Sequence, residues 1–336
     1  MAPFLRRVPG QGGAATLARV DEIDLFFAGT AGSVPTARRG MPAQLLRADG
    51  QRILFDCGEG TQRQLIRSIG LPELDAVFLT HHHADHWLGV PGLVKTFELR
   101  GRDRPLDLLG PPGTRRLLEG VGITPAKASF PFEVSEVGAG DVIDFDGFRV
   151  DVFAVRHRGA AFGYAIVEDE RPGRFDPAKA ASLGIEEGPR FAALARGEEV
   201  DGVSGADVIG PARPGRRIVL SGDTAPCDSV RAAAWQADLL VHEASFVQAD
   251  AERAQLTGHT TAAEAAAIAR EAQAGMLALV HLSPRYTVRE VRDEAQELFE
   301  GTVVPRDFDS VRIPVAEKGA PELLRSDEQE AAGSTA

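Results

Sequence analysis

The chain has little cysteine and lacks any apolar run of membrane length. Its 336 residues include two cysteines, Cys57 and Cys227, which lie far apart. Two distant cysteines in a chain of this size argue against a disulfide framework and for a reducing cytoplasm. We expect both thiols to be buried as apolar side chains, and we expect the protein to bind no membrane.

The two ends of the chain lack the features of folded or targeting segments. Residues 1–22 contain arginines but no continuous apolar core, so they resemble neither a secretory signal nor a spanning helix. They are predicted to form a flexible leader. Residues 316–336 are polar and punctuated by Gly, Pro and Ser, which predicts a disordered acidic tail. One domain is expected between them, over residues 23–315.

An excess of basic residues is also absent. The chain has 37 Lys and Arg residues against 49 Asp and Glu residues, which gives a formal net charge of -12. This balance argues against a surface coated in basic residues and weakens an interpretation as a general nucleic-acid-binding protein. The net charge does not exclude a local basic patch on the surface.

Histidine, in contrast, is concentrated in one short stretch. THHHADHWLG, residues 80–89, holds four of the eight histidines and follows the apolar run Asp75–Thr80. If that run is a strand that continues extended, its period of two puts His81 and His83 on one side and His82 on the other. Two imidazoles on one side can share one metal ion.

The same stretch offers ligands for a second ion. A helix is predicted over Trp87 to Arg100, and Asp85 and His86 at its start are placed to bind an ion next to the first. HxHxDH is therefore a dinuclear pattern, and imidazole and carboxylate donors without a nearby thiolate suit zinc better than manganese or iron. A tag-like histidine tract is disfavoured, since tags are terminal and lack the aspartate.

Further ligand-type residues fall at the ends of strand-like runs. His157, His242 and His281 stand at or directly after such runs, and Asp223 lies in the glycine turn that follows Arg217–Leu220. Any one of these histidines alone would be an ordinary partly buried side chain. Strands that alternate with helices and carry polar residues at their ends predict a layered α/β fold with its site along one sheet edge.

The order of the motifs resembles the ribonuclease Z family of the metallo-β-lactamase superfamily. In chain order they are FAGTAGSVPT, LFDCGEGTQ, THHHADH, FGY after His157, SGDT, HEASF, GHTTA and HLSPRY. HxHxDH alone would indicate only the superfamily, which is a weak guide to substrate. DCGEGTQ, HEASF, GHTTA and SxRY together indicate the family, over about Asp24 to Asp309.

This resemblance implies a fold and a ligand set. The fold is a metallo-β-lactamase-like αββα sandwich with two zinc ions per subunit at one edge. The resemblance assigns His81, His83 and His157 to one zinc ion, Asp85, His86 and His281 to the other, and Asp223 as the bridge between them.

The resemblance also implies a reaction. The protein is expected to be a zinc-dependent endoribonuclease that removes the 3′ trailer of precursor tRNA and leaves a 3′-hydroxyl, as a cytoplasmic homodimer. We expect Asp85 to accept a proton from the attacking water, and His259 paired with Glu243 to protonate the leaving oxygen. Arg285 is expected to contact phosphate. Each of these two residues also has a simpler interpretation. His259 could be a polar residue that precedes a helix, and Arg285 could form a surface salt bridge.

Residues 169–204 interrupt the strand rhythm with a mixed-charge segment rich in Gly, Pro and Ala. They resemble the family's inserted arm, which binds tRNA and carries a Gly-Pro pair, here Gly188 and Pro189. Composition alone supports a disordered loop equally well. Four glutamates, at positions 186, 187, 198 and 199, make the segment less basic than a tRNA-binding arm suggests.

Two departures from the family pattern bear on substrate preference. Arg39-Gly40-Met41-Pro42 stands where an Arg-Asn pair followed by small hydroxyl residues is expected, and Val280 replaces a threonine. The main alternative function is a phosphodiesterase of the same fold acting on small or other nucleic-acid diesters. A second alternative, an RNA-binding module without turnover, predicts gaps among the seven ligands, and the sequence contains none.

Overall fold

Two β-sheets packed face to face, with helices on their outer sides, form the body of the chain in a computed structural model. The structure describes the backbone of residues 5–7 and all of residues 23–327. In chain order the strands are β1 (Leu5–Arg7), β2 (Ile23–Gly29), β3 (Ala43–Ala48), β4 (Gln51–Phe55), β5 (Ala76–Phe78), β6 (Leu106–Gly110), β7 (Phe132–Glu136), β8 (Val142–Asp144), β9 (Phe148–Ala154), β10 (Phe162–Glu168), β11 (Glu199–Val200), β12 (Val203–Ser204), β13 (Arg217–Leu220), β14 (Leu239–Glu243), β15 (Met276–Val280), β16 (Thr302–Val303), β17 (Ser310–Ile313) and β18 (Glu322–Leu324).

The α-helices are α1 (Thr61–Ser68), α2 (Ala84–Trp87), α3 (Val90–Leu99), α4 (Thr114–Gly120), α5 (Pro177–Ser182), α6 (Pro189–Ala195), α7 (Gly205–Val208), α8 (Asp228–Ala233), α9 (Ala251–Thr257), α10 (Ala262–Glu271) and α11 (Val288–Gln296). Short 3-10 turns cover Pro125–Lys127 and Gln248–Asp250. None of the helices in residues 23–327 is long and apolar enough to cross a bilayer.

Each sheet contains a run of parallel strands that extends from its middle to one edge. One sheet runs β18-β17-β2-β3-β4-β5-β6-β7 and the other runs β1-β8-β9-β10-β13-β14-β15-β16. β4, β5 and β6 are parallel neighbours, as are β13, β14 and β15. Parallel neighbours end at the same edge of a sheet, so the polar residues that follow these strands collect there.

Aromatic side chains fill the space between the sheets, and one of them holds the backbone that leads to the histidine cluster. The rings of Phe55 and Phe78 in one sheet lie 5.6 Å and 5.1 Å from the ring of Tyr164 in the other. The Tyr164 hydroxyl donates to the carbonyl of Leu79 at 2.6 Å. This buried hydrogen bond fixes the backbone two residues before His81.

Two further apolar clusters attach the helices to the outer faces. Leu65 of α1 and Val94 of α3 pack on the sheet that contains β4, whereas Ile268 of α10 and Val291 of α11 pack on the sheet that contains β14. The layers are therefore helix, sheet, sheet and helix. A tight hairpin turn joins β3 and β4, and Asp49 and Gly50 in it both have positive φ, 47° and 77°, as such a turn requires.

The predicted helix over Trp87 to Arg100 is confirmed over Val90–Leu99 as α3, but its predicted start is wrong, because Trp87 ends a separate short helix, α2. Gly89 lies between them and packs on backbone: a Cβ atom there would come within 2.1 Å of the Gly58 carbonyl oxygen. Its N–H donates to the carbonyl of Cys57 at 2.8 Å. This long-range contact bends the chain, and Pro91 in the first turn of α3 starts a new helix.

The terminal predictions need correction where the structure describes these residues. Leu5–Arg7 of the predicted flexible leader forms β1, parallel to Val142–Asp144. Glu322–Leu324 of the predicted disordered tail forms β18, antiparallel to Ser310–Ile313, because pairing satisfies the backbone polar groups of that edge. The rest of residues 1–22 and residues 328–336 lie outside the described part of the chain.

Residues Glu168–Arg216 form a compact unit of their own. Its small apolar core contains Ala180, Ile185, Leu194 and Val208. The disordered-loop alternative is therefore wrong for this segment. The unit also extends past the predicted end at Ser204, because Val208 of α7 belongs to its core.

Candidate metal centre

Ligand-type side chains from distant parts of the chain meet at the ends of the parallel strands, in two adjacent clusters. One cluster consists of His81, His83, His157 and Asp223, and the other consists of Asp85, His86 and His281. Within each cluster, one donor atom from every residue lies within 4.8 Å of the others. The structure thus brings together all the residues that the sequence predicts as metal ligands.

Asp223 lies between the two clusters. Its Oδ2 atom is 3.7 Å from Nε2 of His81 in one cluster, and 3.4 Å and 3.3 Å from Nε2 of His86 and of His281 in the other. Burial raises the pKa of this carboxyl group, but the neighbouring histidines lower it well below its usual range. Asp223 is therefore a carboxylate, placed to contact ions in both clusters.

Two buried imidazole nitrogens at this centre have no hydrogen-bond partner among the described residues. They are Nε2 of His81 and Nε2 of His86, and the two rings lie 4.2 Å apart between centroids. A buried polar atom without a partner is costly, so this arrangement fits metal ions that accept the nitrogen lone pairs. Imidazole and carboxylate donors together are typical of zinc sites.

Asp56 orients His86 from the side away from the clusters. Its Oδ2 atom lies 2.7 Å from Nδ1 of His86, and its Oδ1 atom accepts the backbone N–H of Thr80 at 2.8 Å. Burial lowers the pKa of His86, but Asp223 and Asp56 outweigh burial and raise this pKa well above its usual value. The carboxylates thus favour a positive charge at this position, which either a proton or a metal ion supplies.

Oxygen atoms orient His157 and His281 in a similar way. Nδ1 of His157 donates to the carbonyl of Gly258 at 2.8 Å, and Nδ1 of His281 lies 2.8 Å from the Ser245 hydroxyl. With Nδ1 occupied, Nε2 of each ring is left for the centre, and Nε2 of His157 lies 3.1 Å from Nδ1 of His83. His281 also has a φ of 57°, a left-handed conformation that residues other than glycine rarely adopt.

His82 does not join either cluster. Its Nε2 atom lies 2.8 Å from the Thr114 hydroxyl at the start of α4. The strand before it is shorter than predicted and ends at Phe78, so the separation of His82 from His81 and His83 arises in the extended segment beyond β5.

His259 and Glu243 form a pair next to the clusters. Nδ1 of His259 lies 2.8 Å from Oε1 of Glu243, which is buried and also accepts the backbone N–H of Thr224 at 2.7 Å. Burial lowers the pKa of His259, but the Glu243 carboxylate outweighs burial and raises it to about 9. Asp223, His259 and His281 form a third group within the same 4.8 Å limit. The geometry therefore allows either a proton donor or a further ligand at His259.

An open groove of about 320 Å³ adjoins His259. Arg253 and Arg285 line it together with Phe246 and Val34. Two guanidinium groups and an aromatic ring beside the candidate centre suit a phosphate and a base. Arg285 therefore lines the groove next to His259, and Arg253, which lines it too, had no predicted role.

Gly188 and Pro189 lie in the compact unit Glu168–Arg216, where Pro189 opens α6. Gly188 has a φ of 148°, a conformation that favours glycine, and both residues are exposed. Asp56 and Ser245, which orient ligand-type histidines, had no predicted role. Both could have been singled out from the sequence, because Asp56 lies in the motif LFDCGEGTQ and Ser245 lies in the motif HEASF.

The four layers and the histidine–aspartate clusters at the strand ends define a metallo-β-lactamase-fold protein. A family model described as a beta-lactamase superfamily domain matches residues 51–192. The crystal structure of the short form of human tRNase Z superposes with a TM-score of 0.62 at 27% identity, and the match covers 87% of this chain and 100% of that one.

Curated relatives identify the family within this class. The chain is 45% identical to the ribonuclease Z of Gemmatimonas aurantiaca over 302 residues, which cover 87% of this chain and 96% of the relative. It is 46% identical to the ribonuclease Z of Myxococcus xanthus over 300 residues, which cover 87% and 98%. The chain belongs to the ribonuclease Z family. The predictions of family and of fold class are therefore confirmed.

Proposed function

We propose that the protein is a zinc-dependent endoribonuclease that hydrolyses one phosphodiester at the 3′ end of precursor tRNA. It removes the trailer and leaves a 3′-hydroxyl on the tRNA body. The observation that carries this proposal is the convergence of the two clusters on Asp223, with the His259–Glu243 pair at 2.8 Å beside them. The names of the relatives, ribonuclease Z, support the substrate.

Two zinc ions fit the donor set. His81, His83 and His157 would hold one ion, Asp85, His86 and His281 would hold the other, and Asp223 would contact both. When bound, such a pair of ions supplies a water of lowered pKa and positive charge for the scissile phosphate. The buried Nε2 atoms of His81 and His86, which lack a hydrogen-bond partner among the described residues, support this assignment.

Asp85 serves as the proton acceptor in this proposal. Burial raises the pKa of its carboxyl group, but a hydrogen bond and charge from His281 and His86 lower it well below the usual range, so the group is ionised, as an acceptor must be, and is a weak base. Its Oδ2 atom is held by the Ser33 N–H at 3.0 Å and lies 3.3 Å from Nε2 of His281. A fixed carboxylate can take a proton from the attacking water and orient that water at the same time.

His259 serves as the proton donor to the leaving oxygen. Because Glu243 keeps its pKa near 9, the imidazole carries its proton at neutral pH. The groove with Arg253 and Arg285 begins next to this ring. A phosphate chain bound along these arginines would pass the donor on its way out of the centre.

Substrate binding and assembly follow the family resemblance. We propose that Arg285 and the arm residues Gly188 and Pro189 contact tRNA, and that the enzyme works as a homodimer in the cytoplasm. The exposed Gly188–Pro189 turn supports the arm assignment.

The decisive experiment is incubation of the purified chain with a 3′-extended tRNA transcript and, in parallel, with a small phosphodiester. The product end is mapped with and without a chelator. We expect chelator-sensitive cleavage at the 3′ end of the tRNA body and a 3′-hydroxyl on it. Hydrolysis of the small diester without tRNA cleavage would instead support the general phosphodiesterase.

A further inference from the structure

The loop between β2 and β3, residues 30–42, touches the candidate centre at its amino-terminal side. The Ser33 N–H donates to Oδ2 of Asp85 at 3.0 Å. Gly32 lies so close to His281 that a Cβ atom would come within 2.6 Å of the ring nitrogen Nδ1. Residues 33–38, in the middle of the loop, are exposed, so few packing contacts hold this part of the loop in place.

The two ends of this loop are joined by the Ala31 N–H, which donates to the Gly40 carbonyl at 2.9 Å, and by one buried carboxylate, Asp307, which is 7% exposed. Its Oδ1 atom accepts the Thr30 hydroxyl at 2.7 Å, and its Oδ2 atom accepts the Gly40 N–H at 2.6 Å and Nε2 of Gln64 at 2.7 Å. The Arg39 guanidinium also donates to the Thr30 hydroxyl. Asp307 therefore closes the loop at both ends through oxygen atoms of a single side chain.

A carboxylate suits this position because it only accepts hydrogen bonds. The Thr30 hydroxyl, the Gly40 N–H and the Gln64 amide all donate to Asp307, and a neutral amide in its place would turn two donor hydrogens toward at least one of these donors. Burial raises the pKa of Asp307 above its usual value, and the hydrogen bonds from the loop oppose that rise without cancelling it. The carboxylate and the closed loop therefore stabilise each other.

A neighbouring buried aspartate, Asp309, provides a control that distinguishes a role in the loop from a general contribution to stability. Asp309, two positions further, is also fully buried and accepts hydrogen bonds, but its partners are the backbone N–H groups of Arg306 and Ser326 and the guanidinium of Arg325. None of these hydrogen-bond donors belongs to the 30–42 loop, which Asp309 reaches only through the effect of its charge on Arg39. Both aspartates are thus buried carboxylates that accept hydrogen bonds, but only Asp307 accepts them from the 30–42 loop.

We propose that Asp307 is a positioning residue for Asp85: by closing the 30–42 loop it keeps the Ser33 N–H on the Asp85 carboxylate. The role of Asp85 in this inference rests on the proposed function. Asp307 touches neither substrate nor metal ligands in this scheme and acts through the loop.

The test compares Asp307→Asn with the matched control Asp309→Asn. Hydrogen exchange of residues 30–41 is measured by mass spectrometry in the metal-free protein, which needs no activity. We expect exchange in this segment to accelerate about tenfold or more in Asp307→Asn and to stay at the wild-type rate in Asp309→Asn, since local opening sets exchange.

Turnover supplies the second readout. With a small phosphodiester and the zinc-loaded enzyme, we expect the kcat of Asp307→Asn to fall about tenfold to 100-fold, because small misplacements of a reacting group are costly. Asp309→Asn is expected to keep its kcat even where it lowers Tm equally. If Asp307→Asn does not fold, Thr30→Val removes the same hydrogen bond from the loop side with little change in shape.

Each outcome decides the inference. Unchanged exchange in residues 30–41 of Asp307→Asn, or faster exchange with wild-type kcat, would overturn it, as would equal effects of the two aspartate variants. If the wild type cleaves the small diester but not the tRNA transcript, the proposed substrate fails and the diester assay still decides the role of Asp307. If it cleaves neither, the proposed function fails and the exchange data alone decide whether Asp307 holds the loop.

Discussion

Nδ1 of His259 lies 2.8 Å from Oε1 of Glu243, and Glu243 is the more deeply buried partner. Glu243 also accepts the Ser245 hydroxyl at 2.6 Å, so its carboxylate is fixed on two sides. The pair links the candidate metal centre to the arginine-lined groove. Its chemistry decides whether His259 moves a proton or binds an ion.

Replacement of His259 by alanine separates these two roles. As a proton donor, His259 contributes to kcat but not to metal binding, so His259→Ala should keep both zinc ions and lose about 10²-fold to 10⁴-fold in kcat. Zinc per subunit by elemental analysis and turnover of the tRNA transcript measure the two effects. Loss of zinc from this variant would place His259 among the ligands, beside Asp223 and His281.

The charge of Glu243 should set the basic limb of the pH–rate profile. Glu243 raises the pKa of His259 to about 9, so the wild-type donor keeps its proton up to that pH. Glu243→Gln preserves shape but removes the charge, so the pKa of His259 falls and activity should decline at lower pH than in the wild type. The measurement is kcat against pH for both proteins. A basic limb that does not move would exclude His259 as the group that titrates.

Much of the site could be predicted because its signals are local in sequence. HxHxDH needs only the spacing of neighbouring residues, and Asp49-Gly50 encodes its own turn. The placement of Asp223 and His281 followed from one rule, that polar residues after parallel strands meet at one edge, and His157 follows β9, whose pairing with β8 is antiparallel. The structure brings Asp223 and His281 together as that rule predicts.

What could not be predicted depends on contacts between distant residues. The break between α2 and α3 arises where Gly89 packs on the backbone of Gly58. Asp307 and Thr30 are separated by 277 positions, so no spacing rule connects them. The pairing of Glu322–Leu324 with Ser310–Ile313 likewise overrides a polar composition that predicted disorder.

Variants of the adjacent His82 and His83 should differ sharply in metal content. Nε2 of His82 faces the Thr114 hydroxyl, whereas Nδ1 of His83 lies 3.1 Å from Nε2 of His157 in the cluster. His82→Ala should therefore keep zinc and most activity, and lose only about 1 kcal/mol of stability for one hydrogen bond. His83→Ala should lose metal. Equal zinc losses in the two variants, by elemental analysis, would refute the separation of their roles.

The buried ion pair between Glu168 and Arg216 should make the stability of the unit Glu168–Arg216 depend on pH in the acid range. Oε1 of Glu168 lies 2.6 Å from Nη2 of Arg216, and Oε2 accepts the Arg216 N–H at 2.8 Å. Burial raises the pKa of Glu168, but the hydrogen bonds from Arg216 outweigh burial and lower it. A lowered folded-state pKa gives stability that is present above the unfolded-state pKa of about 4.3 and is lost as the pH falls through the folded-state value.

Glu168→Gln should therefore lower the free energy of unfolding by about 3 kcal/mol at pH 7, because it removes the carboxylate charge that faces the buried Arg216 guanidinium. The difference from the wild type should shrink below about pH 4, where the wild-type carboxylate also takes a proton. Thermal unfolding of the metal-free proteins across this range measures it. Glu198→Gln is the matched control, since the Glu198–Arg196 pair in the same unit is exposed and should add little. A gap that persists at acid pH, or an equal loss in the control, would contradict the assignment of this stability to the ionised Glu168.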